Sequence, residues 1–351
     1  MKKISIILTS LLLISGCLFS QTQLSFRVSN PHVIYGTPDV FQFDVDVKAD
    51  VSGTFQRDLQ VYMDYNTAAF GADIVANGKL SVTTLELMSD HYQIVNITDN
   101  TTSKFAVITD AIEELTQNGS ADYFNEMETS WLGLLQFQIE ITDANELTGI
   151  AFDEALMNGG QYMQDISSTD PISYFDPSLY ENAITDITLV GQDIQFTEGW
   201  IGVSSYMLPV DADVENMFNP IVDELVILQN FYGAYVPSME VNTLVNWDNN
   251  SGYMVKVNND CQLKILGNNY EESDLTLASG WTLIPVLSTC DVDTEALFSS
   301  VLSSVIIIQE VAGTNLYWPS MSVNTLPSLS PGKAYFVKMS AEEIISFPAC
   351  D

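Results

Sequence analysis

The sequence predicts a mainly β protein: an N-terminal antiparallel β-sandwich followed by two duplicated, β-rich α+β repeats, each with one short helix. Two observations predict it. Apolar and polar residues alternate in short runs through the first half, as they do where side chains switch faces at each residue of a strand. In the second half, a set of landmarks recurs in order at nearly constant spacing, which marks an internal duplication.

The chain opens with Lys2 and Lys3, then a stretch from Ile4 to Ile14 that is apolar apart from Ser5, Thr9 and Ser10. It is too short to span a bilayer and suits the core of a secretory signal over 1–20. Two processing routes stay open. Ile14-Ser15-Gly16-Cys17 fits a lipobox, with Cys17 acylated as a lipid anchor; Leu18-Phe19-Ser20 before Gln21 fits ordinary cleavage. No later run is apolar enough for a transmembrane helix. The expected location is therefore outside the cell, secreted or held at the outer surface.

Length and charge narrow the function. At 351 residues the chain has room for two or three cores. Eleven Lys and Arg face 46 Asp and Glu, a net charge of −35. That field repels phosphate backbones and excludes nucleic acid as a partner. It favours cations, yet its first reading is a solvated acidic surface with no cofactor, and calcium binding is the sharper alternative.

Residues 21–192 read as the sandwich. Phe41, Phe43, Val45 and Val47 alternate with Gln42, Asp44, Asp46 and Lys48, which puts one face in a core and the other in water. Leu59, Val61, Met63 and Tyr65 follow the same rule, as do Leu135, Phe137, Ile139 and Ile141. Leu24, Phe26 and Val28 read as the opening strand, and Ile187 with Leu189 as the closing one. One helix is expected between strands, with Asp110 as N-cap, Glu113 completing a capping box and Gly119 ending it. Asn158-Gly159-Gly160 reads as a loop tip.

The run from Phe41 to Val47, with Leu59-Gln60-Val61-Tyr62-Met63-Asp64-Tyr65-Asn66 after it, resembles the opening of cohesin-like β-sandwiches. Such modules are common in secreted surface proteins of Bacteroidota-type bacteria. Cohesins proper dock a calcium-binding partner module, and no residue here matches a docking face.

The repeats are expected over 197–265 and 278–345. Gly199-Trp200 returns as Gly280-Trp281, Tyr235-Val236-Pro237-Ser238-Met239 as Tyr317-Trp318-Pro319-Ser320-Met321, and Tyr253-Met254-Val255-Lys256 as Tyr335-Phe336-Val337-Lys338. In each copy a strand from the Gly-Trp pair runs toward Pro209 or Pro285, and an acidic turn follows. Phe218, Ile221, Val222 and Leu225, matched by Phe298, Val301, Leu302 and Val305, then sit at helical spacing. This arrangement resembles a tandem module of the same bacterial surface proteins. Those often end in a type IX secretion sorting domain, which does not follow the second copy here.

Asp211, Asp213, Asp291 and Asp293 in the acidic turns are the candidate calcium ligands. The sixth positions, Asn216 and Ala296, depart from the glycine of an EF-hand loop. Helix capping is the competing and preferred explanation. Trp200, Trp281, Trp318, Tyr235, Tyr253, Tyr317 and Tyr335 are expected first as core rings built twice, and second as a sugar-stacking face. Asn242 and Asn324 are expected to bond the local backbone. Among Cys261, Cys290 and Cys350, a Cys261–Cys290 disulfide is the pairing weighed, leaving one cysteine unpaired.

His32 and His91 stand isolated, and no nucleophile elbow or His-Glu-x-x-His occurs. The leading expectation is a non-catalytic surface protein acting in adhesion, glycan binding or scaffolding, with an extracellular glycan or another surface protein as partner. The alternative is a secreted polysaccharide hydrolase, or its accessory subunit, using a carboxylate pair.

Overall fold

Two β-sheets face each other across the first half of the chain in a computed structural model that describes residues 23–88, 92–112, 125–158, 161–165, 172–173, 179–181 and 184–350. One has the spatial order Leu179–Glu181, Leu24–Ile34, Val40–Ala49, Leu132–Glu140, Leu80–Thr84. The other runs Tyr92–Thr101, Lys104–Ala111, Gln60–Asp64, Ala151–Phe152. The alternating residues meet between them: Phe43 stacks on Phe137 at 5.2 Å, and Phe105 packs on Phe137 at 5.5 Å. Val45, Val47, Val61, Met63 and Val107 close the same core. The protein is mainly β, with several antiparallel sheets and few, short helices.

Three expectations for this half are corrected. The outer face of the Val40–Ala49 strand is not simply solvated, since Gln42 and Asp46 are buried. A polar ladder satisfies it. Arg27 Nε donates to Asp46 at 2.7 Å, Asn30 and Gln136 both donate to Asp44, and Gln138 donates to Gln42. Trp131 covers the ladder's end, its ring 4.7 Å from the Arg27 guanidinium and 4.2 Å from the Lys48 ammonium. Secondly, Asp110 caps no helix. It lies inside the strand Lys104–Ala111, paired with Gln93, because the inward alternation of Phe105, Val107, Thr109 and Ala111 continues through it. Glu113 and Gly119 lie outside the described residues, as do residues 1–22 with Cys17, His91 and Gly159-Gly160. Thirdly, the strand Leu179–Glu181 pairs parallel to the opening strand, while Ile184 and Thr188 make single bridges, so Ile187 and Leu189 are buried without forming a closing strand.

The duplication is visible strand by strand. The first repeat's sheet has the order Gly199–Val203, Tyr253–Val257, Leu225–Gln229, Ala234–Val236, Val241–Asn242; the second has Gly280–Ile284, Tyr335–Met339, Val305–Glu310, Leu316–Trp318, Val323–Asn324. Trp200 pairs with Lys256 and Trp281 with Lys338, and both sheets carry an irregularity at the same place, Leu225/Ile227 and Val305/Ile307. Each repeat is also framed by a two-stranded ribbon, Gln192–Phe196 with Cys261–Ile265 and Asp274–Leu277 with Glu343–Ser346. The ribbons extend each unit a few residues beyond the expected starts at 197 and 278. The helices are shorter than their spacing suggests. Val214–Phe218 and Thr294–Phe298 pass into 3-10 turns, and Leu225 and Val305 already begin strands. In the first copy Pro220 cannot supply the N–H that would continue the α-helix.

The disulfide differs from the pairing weighed. Cys290 bonds Cys350, with Cα atoms 5.9 Å apart, and Cys261 is free. Cys261 starts a ribbon strand and packs on the first repeat's core, whereas Cys290 and Cys350 lie in loops of the second repeat. Ser288 Oγ donates to Pro348 O at 2.5 Å and holds those loops together. Non-reducing peptide mapping is expected to recover Cys290 linked to Cys350 and Cys261 as an alkylatable thiol. Replacing both bonded cysteines with serine removes a cross-link spanning 60 residues and is expected to cost about 4 kcal/mol, read as a lower melting temperature.

Candidate functional site

Three of the four acidic-turn candidates, Asp211, Asp213 and Asp293, accept backbone N–H bonds, as the capping reading expects. Asp213 Oδ1 accepts from the N–H groups of Glu215 and Asn216 at 2.8 and 3.2 Å, and Asp293 Oδ1 accepts from Ala296 N–H at 2.7 Å. These are N-caps, satisfying donors that a helix start leaves orphaned. Asp211 accepts from Asp213 N–H and Asn216 Nδ2. Asp291 lines a shallow hollow beside Asp293. Among the described residues, no group of three or more His, Cys, Asp or Glu side chains gathers where it could hold a metal ion.

Asn242 and Asn324 do bond the local backbone, accepting from Val245 and Leu326 N–H. They also reach further. Asn242 Nδ2 donates to Glu215 Oε1 at 3.0 Å and Asn324 Nδ2 to Glu295 Oε1 at 2.9 Å, so each ties the Tyr-x-Pro turn to its own helix. His32 is buried against Asn30 O, and burial lowers its pKa.

One carboxyl, Asp58, has strongly perturbed chemistry. Burial, then a hydrogen bond with Asp110, raises the pKa of Asp58 to about 7. Direct hydrogen bonding leaves no room between the two for a glycosidic oxygen and water, where hydrolases separate their carboxyls by roughly 5 to 9 Å. Asp58 reads as a carboxyl kept protonated beside Asp110 inside the sandwich.

The repeated aromatics divide. Tyr235, Tyr253, Tyr317 and Tyr335 are buried in the two cores as expected. The tryptophans are not: Trp200 is 42% exposed, Trp281 45% and Trp318 37%. Strand alternation is the reason. In the second repeat Tyr335, Val337 and Met339 point into the core, which turns Phe336 and Lys338 outward beside Trp281.

On that outward face an aromatic recess of about 260 Å³ is lined by Phe231, Trp281, Gln309 and Phe336. Trp281 meets Phe336 edge-on at 6.1 Å, and Phe231 lies 6.1 Å from Phe336 on the other side. Lys338 Nζ is 5.5 Å from the Trp281 ring. Phe231 belongs to the first repeat. It sits in a tight loop where Asn230 Oδ1 accepts from Tyr232 and Gly233 N–H, which throws Phe231 and Tyr232 outward, 51% and 88% exposed. The recess is thus assembled by both repeats.

The junction that brings them together is made by backbone. Gly252 N–H donates to Leu283 O at 3.0 Å, and Ser204 N–H to Gly332 O at 3.1 Å. Ser204 Oγ donates to Lys333 O and accepts from Val286 N–H. At Gly202 a Cβ would stand 2.4 Å from Ala334 O, so only glycine allows this approach.

Sequence reading placed Trp281 among its aromatics but missed Phe231, Gln309 and Phe336 as partners. The outward phase of Phe336 was readable from Tyr335-Phe336-Val337-Lys338. The position of Phe231 was not, since it depends on how the repeats dock.

No protein-family model and no curated protein matches the chain. Among solved structures it is similar to a cohesin module from a Clostridium perfringens family 33 glycoside hydrolase, with 12% identity and a TM-score of 0.27, over 46% of this chain and 98% of that one. At that score the likeness says nothing about activity.

Two outcomes follow from the acids. Asp213→Asn and Asp293→Asn preserve the caps and are expected to leave melting unchanged with or without calcium, whereas alanine at either costs about 1 kcal/mol. A calcium-dependent rise in melting temperature that the Asn variants abolish would reverse this assignment. For Asp58 the folded pKa of about 7 lies above the ordinary 3.8. Its stabilising contribution is complete below about pH 4 and lost as pH rises through 7. Asp58→Asn is expected to flatten that part of the melting-temperature profile.

Proposed function

We propose that this chain is a non-catalytic, extracellular binding protein that takes a neutral glycan at the Phe231–Trp281–Phe336 recess. The single observation that carries the reading is an exposed ring platform with an amide, Gln309, and an ammonium, Lys338, at its rim. A pyranose ring offers an apolar face of C–H groups and an equator of hydroxyls, and this surface offers partners for both. Because the recess is shallow and open, it suits a sugar chain lying across it better than an enclosed small molecule. The net charge of −35 disfavours polyanionic ligands, glycan or nucleic acid.

Export is supported by the Cys290–Cys350 disulfide, which persists in oxidising compartments, and by the positively charged, apolar amino terminus. No helix among the described residues is long and apolar enough to cross a membrane. The sandwich, with its polar ladder and its buried Asp58, serves in this reading as a scaffold that carries the repeats.

A glycan array probed with the full chain is expected to show binding to neutral oligosaccharides that is insensitive to chelator. Trp281→Ala or Phe231→Ala is expected to weaken it about 30-fold, the scale for truncating an anchoring aromatic. Equal binding by wild type and both variants, or turnover of a polysaccharide by the wild type, would reject the proposal.

A further inference from the structure

The repeats touch reciprocally. Gly202 of the first abuts Ala334 of the second, and Gly252 of the first donates to Leu283 of the second. In the two sheets Gly202 holds the register position of Leu283, opposite Met254 and Phe336 respectively, while Gly252 and Ala334 each immediately precede the paired Tyr. Exchanging the repeats therefore exchanges the contacts. This is the pattern of a two-fold, self-complementary interface, here built within one chain.

The loops obey the same exchange. Phe231 lies two residues past Gln229, and Val311 two past Gln309, where Gln229 pairs with Met254 and Gln309 with Phe336. Phe231 reaches onto the second repeat's sheet at Phe336, and Val311 reaches back onto the first repeat's sheet at Gly202.

In the first repeat the register positions of Trp281, Gln309, Phe336 and Lys338 are held by Trp200, Gln229, Met254 and Lys256. The same backbone device sets both tryptophans: Gly199 and Gly280 precede them at φ 102° and 100°, with open space around each. A residue needed only for packing would be buried, yet Trp200 and Trp281 are exposed to nearly the same extent.

Resting on the glycan reading above, we infer that the Trp200 face is a second subsite for the same neutral polysaccharide, so that the paired repeats bind a repeating polymer at two points. The first subsite is the stronger, because Phe231 and Phe336 flank its tryptophan, whereas Val311 and Met254 hold the matching positions around Trp200. A ligand that repeats the same unit can occupy both faces, and the second contact then forms at high effective concentration.

The test uses the full chain against insoluble cellulose and chitin, and against the soluble trisaccharides of each, with melting curves to confirm folding. Trp200→Ala is expected to lower affinity for the bound polymer about 10-fold or more, to leave trisaccharide affinity within about two-fold of wild type, and to be rescued by Trp200→Phe. Trp281→Ala is expected to lower both. Unchanged polymer affinity in Trp200→Ala, with Trp281→Ala impaired, overturns the second subsite and keeps the glycan reading. No binding to any of these probes, or indifference to both substitutions, overturns the reading and the subsite together.

Discussion

Where Gly202 passes Ala334, the two repeats are separated by less than a side chain's width, and no residue with a Cβ fits without displacing a carbonyl. The same docking draws Gly252 N–H onto Leu283 O and Ser204 onto Gly332 and Lys333. Backbone hydrogen bonds and close-packed small residues fix orientation more tightly than side-chain contacts, because neither partner has rotamers to spare. Everything distinctive about the candidate surface depends on this constraint. Shift the repeats by a few ångströms and Phe231 no longer meets Phe336, although each repeat would keep its own core.

The fold was largely legible in the sequence because period-two alternation and an 82-residue recurrence are properties of local pattern. The sandwich core, the duplicated sheets and the caps at Asp213 and Asp293 all follow from residues close together in the chain. What escaped depends on contacts between distant segments. Cys290 has Cys261 as a nearer neighbour in sequence, but the final ribbon brings Cys350 to it. Asp110 has the chemistry of a cap, yet its strand partners were fixed by Phe105 and Val107, and cross-strand pairing overrode a three-residue motif. The ribbons were readable in principle, since Ile194 and Phe196, like Leu275 and Leu277, alternate with polar neighbours. For the aromatics, repetition alone did not separate core from surface; the phase of each strand does.

Charge distribution reinforces the division between scaffold and surface. With so few cations, several are committed to satisfying acids or carbonyls within the fold. Arg27 serves Asp46, Lys104 bridges Asp64 and Asp153, Lys264 reaches Val190 O and Asp193, and Lys79 reaches Phe70 O. Lys338, by contrast, lies over Trp281 at the edge of the recess. The aromatic face thus carries a local positive group on a molecule whose wider surface is acidic. Such a surface holds polyanions away at long range while leaving short-range contacts with the rings unaffected.

The divergence between the two halves is concentrated in the loops that cross the junction. Asn230-Phe231-Tyr232-Gly233 is a four-residue turn with two projecting rings, whereas its counterpart is longer and carries no ring, folded on a bond from Asn315 Nδ2 to Glu310. The strands beneath are nearly interchangeable in register, so this difference is not a requirement of the fold. The first repeat's loop turns aromatic rings outward, while the second's sets Val311 against Gly202. Because each loop leans on the opposite repeat, a change in one loop alters the neighbour's surface and leaves its own core untouched. That arrangement lets one loop change without destabilising either unit, and it is the first repeat's loop that bears the rings.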